Sequence, residues 1–181
     1  MVKGDGLNPT MMQVEQLPET GNNTSMSFLD AMACLATGVA VVACVDSGHP
    51  KGLLVSSLTP LSVDPPSMLF CIRKAAYCYA ALSSSDRCSI AILSEADQIE
   101  AERFSRADRF KERFDSASWI LPYGQPPELK GALISMSGNI DKVIDAGTHD
   151  IFIVNIDSIK GRSADPLVYF KRRFQKLANV A

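Results

Sequence analysis

Between Val55 and Ala76 the chain reads VSSLTPLSVDPPSMLFCIRKAA, which sets the hydroxyls of Ser56, Ser57 and Ser62, an apolar run and the cations Arg73 and Lys74 close together. Around them the usual marks of acid–base or nucleophilic catalysis are missing. The sequence has no G-x-S-x-G elbow and no H-E-x-x-H. It has neither G-x-G-x-x-G after a strand nor G-x-x-x-x-G-K, so both common phosphate loops are absent. Its two histidines are His49 and His149, and its five cysteines form no C-x-x-C. No metal site is expected from such a set. Chemistry carried by a bound cofactor needs little from the protein beyond positioning, and hydride transfer is of that kind.

The elements that must do this positioning can be read along the chain. Residues 1–24 are rich in Gly, Asn, Thr and Pro without periodicity, and are expected to form a flexible arm before a single domain over 25–181. Ser25 or Ser27 can cap a helix running to Ala36, with Phe28, Leu29, Met32 and Leu35 on one face. VAVVACV (39–45), GLLVSSL (52–58) and SMLFCI (67–72) read as strands, the third buried on both faces. The breaks between them are DSGHP and Asp64-Pro65-Pro66. AAYCYAALSSS (75–85) is expected as a short helix, CSIAIL (88–93) as a strand, and 94–114 as charged helix with Ile99, Phe104, Phe110 and Phe114 at helical spacing. After a proline-rich loop over 122–131, two long strands (132–147 and 149–161) meet at Ala146-Gly147-Thr148, and PLVYFKRRFQKL (166–177) closes the chain. Strands that follow one another through short turns argue for an antiparallel barrel with helices around it.

Bulk properties narrow the partners. The formal net charge of −2 gives no electrostatic reason to expect nucleic acid or an anionic membrane. No apolar run approaches the ~20 residues that span a bilayer. The first residues lack the apolar core of a signal peptide, and Cys34, Cys44 and Cys71 fall in apolar runs as reduced thiols would. A cytoplasmic protein is expected.

Five blocks then carry a resemblance: LDAMACLATGVAVVACV, GLLVSSLTPLSVDPPSMLFCI, LKGALISMSG, GTHDIFIVNI and PLVYFKRRF, in this order from about Ser27 to Phe174. The chain resembles the short-chain flavin reductases, the flavin-reductase-like proteins with an FMN-binding split barrel. Within that family it resembles the reductase components of two-component aromatic hydroxylases such as 4-hydroxyphenylacetate 3-monooxygenase. The resemblance implies a mainly β fold, a six-stranded antiparallel split β-barrel with flanking helices, usually a homodimer. It also implies a reaction, in which NADH or NADPH passes a hydride to FMN or FAD and the reduced flavin leaves for a flavin-dependent monooxygenase.

Under that resemblance the opening stretch becomes half of a flavin site. A flat apolar ring wants an oily wall and backbone N–H groups, and its phosphate tail wants hydroxyls, amides and positive charge. By position in the family motif, Leu54, Val55, Ser56, Ser57 and Ser62 are expected at the ring and ribityl chain. Arg73 and Lys74 are expected at the phosphate by charge, and Ala76 by position. The family often carries Thr, Ser and Ser where this chain has Leu54, Pro60 and Ala76. His149, in the GTH triplet, is implied to lie near flavin and nicotinamide; the plain alternative is a turn histidine. Tyr169, Arg172 and Arg173 could hold dinucleotide phosphates, since guanidinium matches phosphate with two parallel bonds, or could form a solvated basic face. The same barrel could also serve as a non-catalytic flavin- or partner-binding module, or host non-redox chemistry.

Overall fold

The computed structural model describes residues 26–177. The expected N-terminal arm lies outside the described residues. The strands are β1 (Thr37–Gly38), β2 (Ala40–Asp46), β3 (His49–Val55), β4 (Thr59–Val63), β5 (Pro66–Arg73), β6 (Arg87–Ile92), β7 (Trp119–Ile120), β8 (Glu128–Leu129), β9 (Ile134–Ala146), β10 (His149–Gly161), β11 (Val168–Phe170) and β12 (Arg173–Gln175). Among the described residues three α-helices accompany them: α1 (Phe28–Ala33), α2 (Tyr79–Ser84) and α3 (Gln98–Ser105). The main sheet is antiparallel, in the order β3-β2-β6-β9-β10-β5-β4.

The mainly β, antiparallel class is as expected, with one strand more than the six expected in the sheet. The extra one is β4, all five of whose residues are exposed. It carries Pro60, which an edge strand tolerates because no ladder hydrogen bond is asked of it there, and the register shifts between Pro60 and Ser62. The β5 strand also differs from expectation. Phe70 and Ile72 enter the core, whereas Leu69 and Cys71 on the other face are only half-covered.

The sheet curls around one core, so that Val55 of β3 packs in the same cluster as Phe70 and Ile72 of β5 and Phe152 and Val154 of β10. Phe70 and Phe152 lie stacked with ring centroids 5.4 Å apart. Ser57 bridges the two ends of the sheet. Its Oγ accepts from the Cys71 N–H at 2.9 Å and donates to the Cys71 carbonyl at 3.3 Å, replacing the ladder partner that β4 no longer supplies. Ser57→Ala leaves that N–H without its partner and should cost about 1–3 kcal/mol. A urea unfolding curve of the variant checks this.

Because β2 is covered on both faces, alternate residues feed two cores. Ala40, Val42 and Cys44 face the first, and Val39 and Val41 face a second that contains Leu93, Phe104, Trp119 and Leu167. This second core lies under the segment 95–114, where two 3-10 turns flank α3. Two buried charges fasten it. The Glu100 carboxylate, 7% exposed, accepts from Arg103 Nη1 (2.6 Å), Ser116 Oγ (2.8 Å) and Trp119 Nε1 (3.1 Å). Arg113, also 7% exposed, donates to the carbonyls of Gly52 (2.7 Å) and Arg106 (3.0 Å) and lies over the Phe104 ring. Burial pushes the pKa of Arg113 below its ordinary value. Gly52 is required here, since a Cβ would lie 2.8 Å from the Val42 carbonyl and 3.0 Å from the Phe114 ring.

β1 joins the β11–β12 hairpin in a smaller sheet, in the order β1-β11-β12. Helix α1 is shorter than expected, capped by the Ser27 hydroxyl, and buries none of its residues. Phe28, Leu29, Met32 and Leu35, expected on one helical face, are exposed in the single chain together with Met26. Among the described residues no helix is long and apolar enough to cross a membrane.

Candidate functional site

Six of the residues singled out by sequence converge on one cavity. Leu54, Val55 and Ser56, at the end of β3 and just beyond it, line a space of about 320 Å³ with Tyr169, Arg172 and Arg173 of the C-terminal hairpin. Val39, Ser105 and Phe174 complete the wall. The lining is apolar on one side, where Leu54, Tyr169 and Phe174 also pack against the second core. It is polar and cationic on the other. A volume near the lower end for small-molecule clefts suits a flat ring left partly open to solvent.

The hairpin that supplies the cations is strained. Phe170 pairs with Arg173, so Lys171 and Arg172 form a two-residue turn, and both have positive φ (49° and 61°). Asn-Gly is the usual choice for such a turn, because side chains resist this conformation. Helix α1 holds it in place: the Lys171 N–H donates to the Ala33 carbonyl at 2.7 Å, and Arg172 pairs with Asp30 at 2.8 Å. The Asp30 carboxyl sits below the ordinary carboxylate range, chiefly through its hydrogen bond from Ser27 and then through Arg172. Arg173 has no ion pair among the described residues, and its guanidinium is available at the cavity.

A second group gathers at the end of β5. Arg73 faces His149 across the β5–β10 ladder, and His149 faces Ala146 in β9. The His149 ring is exposed, with Nδ1 2.9 Å from Thr148 Oγ1. The Lys74 N–H donates to the Thr148 carbonyl at 3.0 Å, which joins this turn to the start of β10. Ser57 and Cys71 connect the two groups. Ser57 follows Ser56 of the cavity, and Cys71 lies two residues, about 7 Å, before Arg73.

Other expected residues are engaged elsewhere. Lys74 Nζ pairs with Asp145 and, at 3.2 Å, with Asp150, so its charge is already met, and it holds the Asp145 carboxyl below the ordinary range. Arg73 has no carboxylate partner among the described residues. The Ala76 N–H donates to the Arg73 carbonyl at 2.8 Å and the side chain packs against the first core. Ser57 spends its hydroxyl on Cys71. Ser62 is the outlier. It pairs with Ser67, six residues or about 20 Å along β5 from Arg73, and its hydroxyl donates to the Asp64 carbonyl.

Sequence reading missed several of these partners. Ser105 arrives only because the 95–114 segment folds back over β3, and Phe174 lay unremarked inside YFKRRF. Asp150, buried between Lys74 and the Tyr79 hydroxyl, directly follows the histidine that drew notice.

The model of the flavin reductase like domain matches residues 32–178, which takes in every strand named above. The chain belongs to the flavin reductase-like family. Among its relatives is the FMN reductase (NADH) RutF of Agrobacterium fabrum, 28% identical over 160 residues that cover 88% of this chain and 92% of that one. Another is the 4-hydroxyphenylacetate 3-monooxygenase reductase component of Salmonella typhi, 32% identical over 153 residues, with 82% and 89% covered. Among solved structures, BorF, the flavin reductase component of a bacterial two-component tryptophan halogenase, superposes with a TM-score of 0.76 at 26% identity, covering 83% of this chain and 96% of BorF. In this flavin reductase-like chain the cavity between β3 and the hairpin is accordingly the candidate flavin site.

Proposed function

We propose that the chain is an NAD(P)H:flavin oxidoreductase that reduces free FMN or FAD and releases the product to a separate flavin-dependent monooxygenase. One observation carries the reading: in a flavin reductase-like chain, the β3 end and the C-terminal hairpin bring Leu54, Ser56, Tyr169 and Arg173 around one cavity. The residues fit the ligand. Leu54, Tyr169 and Phe174 give an apolar wall that excludes water from a ring, and Ser56 offers a hydroxyl at its edge. Arg73, at the neighbouring turn, can grip the flavin phosphate with two parallel hydrogen bonds, and Arg173 supplies a second cation in the cavity wall, suited to the phosphates of the nicotinamide dinucleotide. Lys74, Ala76 and Ser62 are the weaker members of the expected set, for the reasons of geometry given above.

Flavin, when bound, supplies the hydride-accepting centre. What the chain must add is placement, because hydride transfer asks no side chain to exchange a proton. His149 is suited to orient the nicotinamide carboxamide by hydrogen bonding, with Thr148 Oγ1 fixing one ring nitrogen. The absence of an acid–base cluster from the sequence agrees with this division of labour.

The protein works as a homodimer in the cytoplasm. Support for the dimer comes from α1, whose Met26, Phe28, Leu29 and Met32 neighbourhood is apolar and uncovered in the single chain. Support for the compartment comes from free cysteines, three of them buried. The reading is tested by mixing a catalytic amount of protein with NADH and excess FMN without oxygen. Flavin absorbance should bleach over many turnovers. Bleaching no faster than in protein-free buffer, with FMN or FAD and with either nucleotide, would contradict it.

A further inference from the structure

Beside Arg73 lies an aromatic surface that the flavin cavity does not use. Tyr77 follows the Arg73–Ala76 turn, and Phe110 comes from the 3-10 turn after α3. Their ring centroids are 4.6 Å apart with planes tilted by 40°. The two residues stay 56% and 36% exposed, although paired aromatic residues ordinarily bury most of their area. Two ammonium groups attend them. Lys51 Nζ accompanies Tyr77, donating to its hydroxyl at 2.7 Å and lying 4.7 Å from the ring centroid. Lys111 Nζ lies 5.9 Å from the Phe110 centroid. Neither lysine has a carboxylate partner among the described residues, and Arg73 has none either.

Exposed aromatic faces with uncompensated cations around them match one chemical class well, a base carried on phosphates. The base stacks on the rings and the phosphates meet the cations. Anchoring the 95–114 segment does not require the pair, since Arg113 already ties that segment to the Gly52 carbonyl.

We infer that Tyr77 and Phe110 form a stacking platform for the adenine of FAD, with Lys51 and Lys111 beside its diphosphate, so that this chain prefers FAD to FMN. The inference rests on the flavin reading of the neighbouring cavity. FMN ends at the phosphate that Arg73 is placed to meet. FAD continues from that point with a second phosphate and adenosine, and the platform begins four residues further along the chain, at Tyr77.

Equilibrium titration of the full chain with FMN and with FAD, without nicotinamide nucleotide, tests this. The native chain should bind FAD roughly tenfold more tightly than FMN, the low range for one stacked base. Tyr77→Ala and Phe110→Ala should each remove most of that preference while leaving FMN affinity within about twofold. Tyr77→Phe, which keeps the ring and loses the bond from Lys51, should retain most of it. Equal weakening of both flavins would mark the pair as a structural anchor and overturn the inference, as would unchanged FAD affinity or a native chain without preference. The readout separates this idea from the reductase reading. FAD preference without NADH oxidation would sink the reductase and keep the platform, oxidation without FAD preference would do the reverse, and binding of neither flavin would overturn both.

Discussion

Gly138→Ala is expected to lose about 3 kcal/mol or more of stability, enough to lower the melting temperature by roughly 10 °C. Gly138 lies in β9 opposite Ile156 of β10, where the ladder shifts register between Ile156 and Ser158. A Cβ at this position would sit 2.8 Å from the Asn155 carbonyl carbon and 3.0 Å from the Ile156 Cα, and closer still to the Asn155 oxygen. Every one of these atoms is backbone, so no rotamer change relieves the overlap. Relief requires the two longest strands to part, and β10 carries Phe152 and Val154 into the first core and sets His149 opposite Arg73. Thermal unfolding followed by circular dichroism measures the loss. A variant melting within about 2 °C of the native chain would mean that the β9–β10 bulge yields, contrary to this account.

The second large effect is on turnover rather than stability. Ser56→Trp should lower kcat/KM for flavin-dependent NADH oxidation at least about a hundredfold, the scale of loss when reacting groups are displaced by ~1 Å or more. Ser56 is exposed, so the fold can accept the indole, and stability should stay within about 0.5 kcal/mol of native. The indole, however, would occupy a large part of a 320 Å³ cavity and lie between Leu54 and the hairpin cations. Steady-state kinetics beside a melting curve separate the two quantities. Near-native turnover in a folded Ser56→Trp variant would place the chemistry elsewhere on the molecule.

The contrast between these positions shows how unevenly the sequence discloses structure. The segments 39–45, 88–93 and 132–161 announced their strands through dense β-branched and apolar patterning, and β2, β6, β9 and β10 lie there. The β4 strand did not, because all five of its residues face solvent and a proline interrupts them. The hairpin turn at Lys171-Arg172 lacks the Asn-Gly signature of its backbone class, so nothing local announced that Tyr169 and Phe174 would lie together with ring centroids 5.4 Å apart.

Site legibility divides in the same way. Leu54, Val55 and Ser56 are nameable from the ordered blocks of resemblance, and Tyr169, Arg172 and Arg173 from the match of guanidinium to phosphate; all six line one cavity. Lys74 was nameable by charge, yet charge alone could not reveal that Asp145 and Asp150 claim it, since these lie 71 and 76 residues away. Ser105 carries no sequence mark at all. It reaches the cavity because Glu100 and Arg113 pin the 95–114 segment over β3. Pairings that depend on long-range packing are invisible to local pattern, and those are the contacts that complete this site.

The most direct measurement is steady-state oxidation of NADH by the purified chain as FMN or FAD is added from zero. Without flavin, turnover should stay at background; with flavin the rate should rise and saturate, FAD at lower concentration than FMN. An absence of turnover with both flavins and both nicotinamide nucleotides would contradict the reductase reading, and so would NADH oxidation that proceeds equally fast with no flavin added.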